Sequence, residues 1–103
     1  MDIPVVLNDI RPGAAWVLTG DGYDGLEWLD TSPKPTLKQI ETAWPRAEAK
    51  QKNAVAENQR ASAYKQEADP LFMYWQAGEG TKDVWLAKRA EIRRRFPYVE
   101  VPK

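Results

Sequence analysis

Residues 45 to 63 contain no aromatic side chain, whereas the five Trp, four Tyr and two Phe of the chain all lie on either side of them. Each buried aromatic removes roughly 150–250 Å² from water, so a few suffice to anchor a small core or an interface. From Pro45 to Ala68 the chain is mostly Ala, Glu, Gln, Lys, Asn and Arg, nearly all strong helix formers. This distribution predicts two small apolar centres joined by a polar helix. With 103 residues, the chain has the size of one small domain, or of one domain and an arm.

The N-terminal part reads as a β unit. Ile3 to Ile10 is an apolar run that fits a short helix or a strand. Arg11-Pro12-Gly13 is a turn signal, and Ala14 to Thr19 reads as a strand with Trp16 and Leu18 on one face. The glycine-rich Gly20 to Gly25 connects it to a return strand, Leu26 to Leu29. A two-stranded hairpin is marginal in water and must pack on something else. Two prolines stiffen the loop from Asp30 to Pro35, and the boundary is placed there, giving a hairpin unit over 1–33 and a helical region over 34–103.

The helical part begins at Thr36, an N-cap with Gln39 completing the capping box. Leu37, Ile40, Ala43, Trp44 and Ala47 follow at helical spacing, and Pro45 predicts a kink or a division into two helices at Trp44-Pro45. Ile40, Ala47, Ala54, Ala61 and Ala68 recur every seven residues. Such a repeat fits either a solvated connecting helix or a close-approach seam between copies of the chain. Asp69-Pro70 reads as the start of another helix, Gly78-Glu79-Gly80 as its end, and Thr81 as the cap of a last helix that Pro97 stops. The expected fold class is α+β, a short N-terminal β-hairpin unit followed by a mostly helical half with a long kinked helix and a helical hairpin.

The composition excludes much chemistry. There is no cysteine, hence no disulfide, thiolate nucleophile or thiolate zinc site, and no histidine, the commonest general base and transition-metal ligand. Ser32 and Ser62 therefore have no imidazole to activate them. Asp21, Asp24, Glu27 and Asp30 lack the spacing of an EF-hand calcium loop. The G-x-G-x-x-G of Gly20, Gly22 and Gly25 precedes a strand rather than the helix a dinucleotide fingerprint requires. No enzyme, cofactor or metal is expected. No stretch approaches the ~18–20 apolar residues of a membrane span. The N-terminus lacks the basic and apolar regions of a signal peptide. The expected location is the cytoplasm, or a particle assembled there.

Charge is balanced overall, fifteen cations against fifteen acids, but not evenly placed. Residues 1–33 carry Arg11 against Asp2, Asp9, Asp21, Asp24, Glu27 and Asp30, a balance of −5. Lys88, Arg89, Arg93, Arg94 and Arg95 spread around the last helix and sit in its last turns, where cations favour the helix dipole. They fit a solvated helix end, contact with an acidic partner such as the N-terminal unit of a copy, or a phosphate backbone.

Two patterns carry a family resemblance. Tyr64, Glu67-Ala68-Asp69-Pro70-Leu71-Phe72, Trp75-Gln76, Gly78-Glu79, Thr81-Lys82, Trp85-Leu86 and Ile92 to Tyr98 form the first; Arg11-Pro12-Gly13, Trp16, Leu26 to Asp30, Pro35-Thr36 and Ala43-Trp44-Pro45 form the second. Together they resemble small phage and prophage proteins encoded among tail genes, described as tail-fibre-assembly or tail-assembly-chaperone-like. The resemblance implies a non-enzymatic accessory of tail assembly in the host cytoplasm, retained or not in the virion. It carries over no catalytic residue. The candidate contact group is Phe72, Tyr74, Trp75, Trp85 and Tyr98, with Arg93, Arg94 and Arg95 as a polar rim and a tail component or a second copy as partner. The same aromatics could instead be core. The rival reading is a small nucleic-acid-binding regulator that uses the basic last helix.

Overall fold

The computed structural model describes residues 1–102 of the chain. The elements are α1 (Ile3–Ile10), β1 (Trp16–Leu18), β2 (Leu26–Trp28), α2 (Leu37–Ala63), α3 (Asp69–Gln76) and α4 (Lys82–Arg95), with a 3₁₀ turn at Tyr23–Gly25 and a π-helical turn at Tyr64–Ala68. This is the α+β class expected, a short antiparallel hairpin and a mostly helical remainder. Two compact units form, residues 1–51 with 100–102 and residues 52–99. The first thus runs well past residue 33, because side chains of α2 complete the core of the hairpin.

In the first unit the apolar run left open between helix and strand is a helix. Asp2 caps it by accepting from the Val5 N–H at 3.3 Å, and Ile3, Val6, Leu7 and Ile10 then fall on one face at i, i+3, i+4 and i+7. The hairpin pairs Trp16 with Trp28 and Leu18 with Leu26, which puts the expected four residues on one face. The core consists of Ile3, Val6, Leu7, Leu26, Ile40 and Ala47, flanked by half-buried Trp16, Tyr23, Trp28 and Trp44. Asp30 ties the hairpin to the following loop. One carboxylate oxygen accepts from the Ala15 N–H at 3.2 Å, the other from the Ser32 N–H at 3.0 Å and hydroxyl at 2.5 Å. These bonds, the Ser32 hydroxyl foremost, hold the Asp30 carboxyl below the usual carboxylate range.

The capping box is formed as expected: the Gln39 N–H donates to Thr36 Oγ1 at 3.1 Å, and the Thr36 N–H to Gln39 Oε1 at 2.9 Å. Of the two alternatives expected at Trp44-Pro45, a kink or a division, the division does not occur: α2 runs through Pro45 as one helix. Pro45 and Glu41 both lie on the exposed face, so water reaches the carbonyl that Pro45 deprives of its donor.

α3 starts at Asp69-Pro70 as expected, but Asp69 is not its non-helical N-cap, because the π-turn runs into α3 without a break. The Asp69 backbone is helical (φ −59°, ψ −41°), and its N–H donates to the Tyr64 carbonyl five residues back. The cause is Pro70, which cannot donate to the Gln66 carbonyl and whose ring would collide with it; a widened π-turn absorbs the conflict without ending the helix. The wider turn also realigns the faces. Ala63 and Ala68, five residues apart, are both buried and pack with Ile92 as the core of the second unit.

The seven-residue seam Ile40/Ala47/Ala54/Ala61/Ala68 is not a continuous surface. Ile40, Ala47 and Ala68 are consumed in the two cores, whereas Ala54 and Ala61 are exposed. A seven-residue repeat of buried alanines does exist, offset by two positions, at Ala49, Ala56 and Ala63.

α3 ends at Gly78 (φ +79°) in a Schellman motif. The Gly78 N–H donates to the Trp75 carbonyl at 3.0 Å, and the Glu79 N–H to the Tyr74 carbonyl at 2.9 Å. Thr81 then caps α4, accepting from the Val84 N–H.

Gly25 tests the hairpin most sharply, since a Cβ there would lie 1.8 Å from the Thr19 carbonyl oxygen. Gly25→Ala is expected to lower unfolding stability by roughly 1–3 kcal/mol in a denaturant titration, the usual cost of forcing atoms into a packed site. An unchanged midpoint would show that the 19–25 connection is not held closed.

Candidate contact site on the helical hairpin

The aromatic residues singled out in the sequence fall into three places within the second unit. Phe72 and Trp75 of α3 meet Trp85 of α4: ring centroids lie 5.6 Å apart for Phe72–Trp75, 5.1 Å for Phe72–Trp85 and 5.8 Å for the stacked pair Trp75–Trp85. Tyr74 lies outside this trio and is 54% exposed. Tyr98 lies beyond α4, under the Arg60 guanidinium at 3.9 Å from its ring centroid.

The trio is not sealed. Phe72 remains 39% exposed, and Met73 (68%), Val84 and Leu86 of the same hairpin stand out into solvent. Exposed apolar side chains mark an interaction surface where they form one contiguous patch. Cations line its borders, with Lys82 over Trp75 at 5.8 Å and Arg89 over Tyr64 at 4.5 Å and Trp85 at 5.4 Å.

The three arginines expected as a rim divide. Arg95 donates to both oxygens of Glu67 at 2.8 and 3.0 Å and to Glu91 at 2.7 Å, while Lys88 pairs with Glu91 at 3.1 Å. The Arg95 charge is spent inside the unit, pinning α4 to the π-turn that carries Glu67. Arg93 and Arg94 are exposed. The Arg95 bonds hold the Glu67 carboxyl below its ordinary value; those from Arg95 and then Lys88 do the same at Glu91, and Arg95 itself is raised.

Sequence reasoning missed the strap that follows α4. The Asn53 side-chain amide donates to the Val99 carbonyl at 2.9 Å and accepts from the Val99 N–H at 2.7 Å. Arg60 donates to the Phe96 carbonyl at 2.8 Å and the Arg93 carbonyl at 3.2 Å. Nothing local announces a pairing across more than thirty residues, so an Asn and an Arg in a polar helix read as solvated.

Among the described residues no group of three Asp or Glu side chains is placed to hold a metal ion, and no helix is long and apolar enough to cross a membrane. No family model, curated protein or solved structure matches the chain.

The glutamate network has a definite pH signature. Glu67 and Glu91 bind protons less readily folded than unfolded, so their contribution is complete above the unfolded pKa and is lost as pH falls through the folded values. Thermal stability is expected to drop on acidification below the ordinary glutamate range, and Glu67→Gln to flatten that drop by lowering stability at neutral pH while leaving the acid value nearly unchanged. An identical acid profile for the variant and the natural chain would show that the network does not form.

Proposed function

We propose that the chain is a non-enzymatic accessory of phage tail assembly that acts by binding another tail protein through the helical hairpin of α3 and α4. The observation that carries the binding half is the half-open trio Phe72, Trp75 and Trp85, with Met73, Tyr74, Val84 and Leu86 exposed on the same hairpin. The tail half is supported by the sequence resemblance. An aromatic centre with an arginine-bearing border is the composition of energetically dominant contact sites. The lack of histidine and cysteine supports a role without chemistry. Arg89 lies on two aromatic rings and Arg95 is held by two glutamates, which leaves Arg93 and Arg94 as the arginines of the helix open to a phosphate backbone.

Met73 and Tyr74 are the cleanest residues to test, because both are more than half exposed and outside the aromatic trio. Co-expression with the products of neighbouring tail genes is expected to give a stable complex. Met73→Ser with Tyr74→Ser should weaken it at least about tenfold, about 1.4 kcal/mol, while the helical circular-dichroism signal stays unchanged. A complex indifferent to both changes would place the contact elsewhere, and failure of every neighbouring tail protein to co-purify would remove the tail assignment.

A further inference from the structure

The first unit contains a cleft of about 760 Å³ between the end of α1 and the first turns of α2. Arg11, Lys38, Arg46 and Lys50 line it, with Ala43 in its wall and Asp9 as its one carboxylate. Lys38, Arg46 and Lys50 lie at i, i+8 and i+12, one face of an α-helix. Asp9 is already paired with Lys50 at 2.7 Å. The other three cations of the cleft, Arg11, Lys38 and Arg46, are therefore uncompensated by any lining carboxylate.

The same unit carries the opposite charge on its hairpin. Asp21 and Asp24 sit in the glycine-rich loop of residues 20–25 and Glu27 on the outer side of β2; all three are exposed, and among the described residues their carboxylates have no hydrogen-bond or ion-pair partner. None of them lines the cleft, so the loop does not satisfy it within one copy. The loop is also slender, with three glycines in six residues. A chain of zero net charge thus divides into an acidic residue 1–33 segment of −5 and a remainder of +5.

We propose that the cleft receives the acidic hairpin loop of a second copy of this chain, Asp21 and Asp24 of one copy meeting Lys38 and Arg46 of the next. Such a contact joins two different patches, so it closes a two-fold dimer where it is reciprocal and builds a ring or an open chain where it is not. Its strength comes from complementary charge, so it is sensitive to salt. It uses none of Phe72, Trp75 or Trp85, and its failure would leave the proposed tail-protein contact standing.

Light scattering and sedimentation of the full chain at millimolar concentration provide the test. In about 0.02 M salt, where the screening length is ~20 Å, the weight-average mass is expected to exceed the monomer mass; in about 0.5 M salt, where that length is ~4 Å, it should return to it. Lys38→Glu with Arg46→Glu, and separately Asp21→Lys with Asp24→Lys, should each give monomers at low salt with unchanged circular dichroism. Mixing the two variants should restore association, because the intact loop of one fits the intact cleft of the other. A natural chain that is monomeric at low salt would overturn the proposal, as would association that survives either charge reversal, or a mixture that stays monomeric.

Discussion

The second unit is constrained by how little it can bury. The cluster at its centre is Ala63, Ala68 and Ile92, two of them among the smallest side chains available. At roughly 25 cal/mol per Å² of apolar surface, alanines contribute little. Tyr64, Trp85 and Phe96 pack half-buried against this cluster, but Phe72, Met73, Tyr74, Val84, Leu86, Tyr98 and Val99 remain exposed. Polar and aromatic devices at its edges therefore do much of the holding: the glutamate–arginine network, the arginine–tyrosine stacks, the Schellman turn and the Asn53–Val99 pairing. A unit stabilised this way leaves Phe72 and Tyr74 of its aromatic surface exposed.

Pro70 is the local feature that makes the arrangement possible. A proline in a helix interior ordinarily costs about 3 kcal/mol and bends or ends the helix. Here the π-turn just before it keeps the helix continuous and rotates α3 relative to the end of α2. Ala63 and Ala68 then share one face, and α3 brings Phe72 and Trp75 against Trp85 of α4.

Much of the fold was legible because it is written in local chemistry. Thr36 with Gln39, Thr81, Gly78 and the alternation of Trp16, Leu18, Leu26 and Trp28 each act over four residues or along one strand pair. The illegible part depends on which groups lie opposite. The same Trp44-Pro45 signal that ends many helices is tolerated where the orphan carbonyl faces water. Asp69-Pro70 looks like a capped helix start unless the preceding turn can widen. A period of seven shows that alanines recur, but not which of two alanine lines, offset by two positions, is covered. Of the candidate contact residues, Phe72, Trp75 and Trp85 come together in one cluster across two helices. Tyr98 and Arg95 were assigned elsewhere by Arg60 and Glu67, partners far off in sequence.

If the helical hairpin is held by its edges and open at its aromatic face, its backbone should open at lower cost than the apolar core of the first unit. Residue-resolved amide hydrogen exchange measures this directly. The account predicts that the amides of α3 and α4 exchange at least about tenfold faster than those of α1 and residues 40–47 of α2, an opening free energy about 1.4 kcal/mol lower. Equal or greater protection of α3 and α4 in the isolated chain would contradict it.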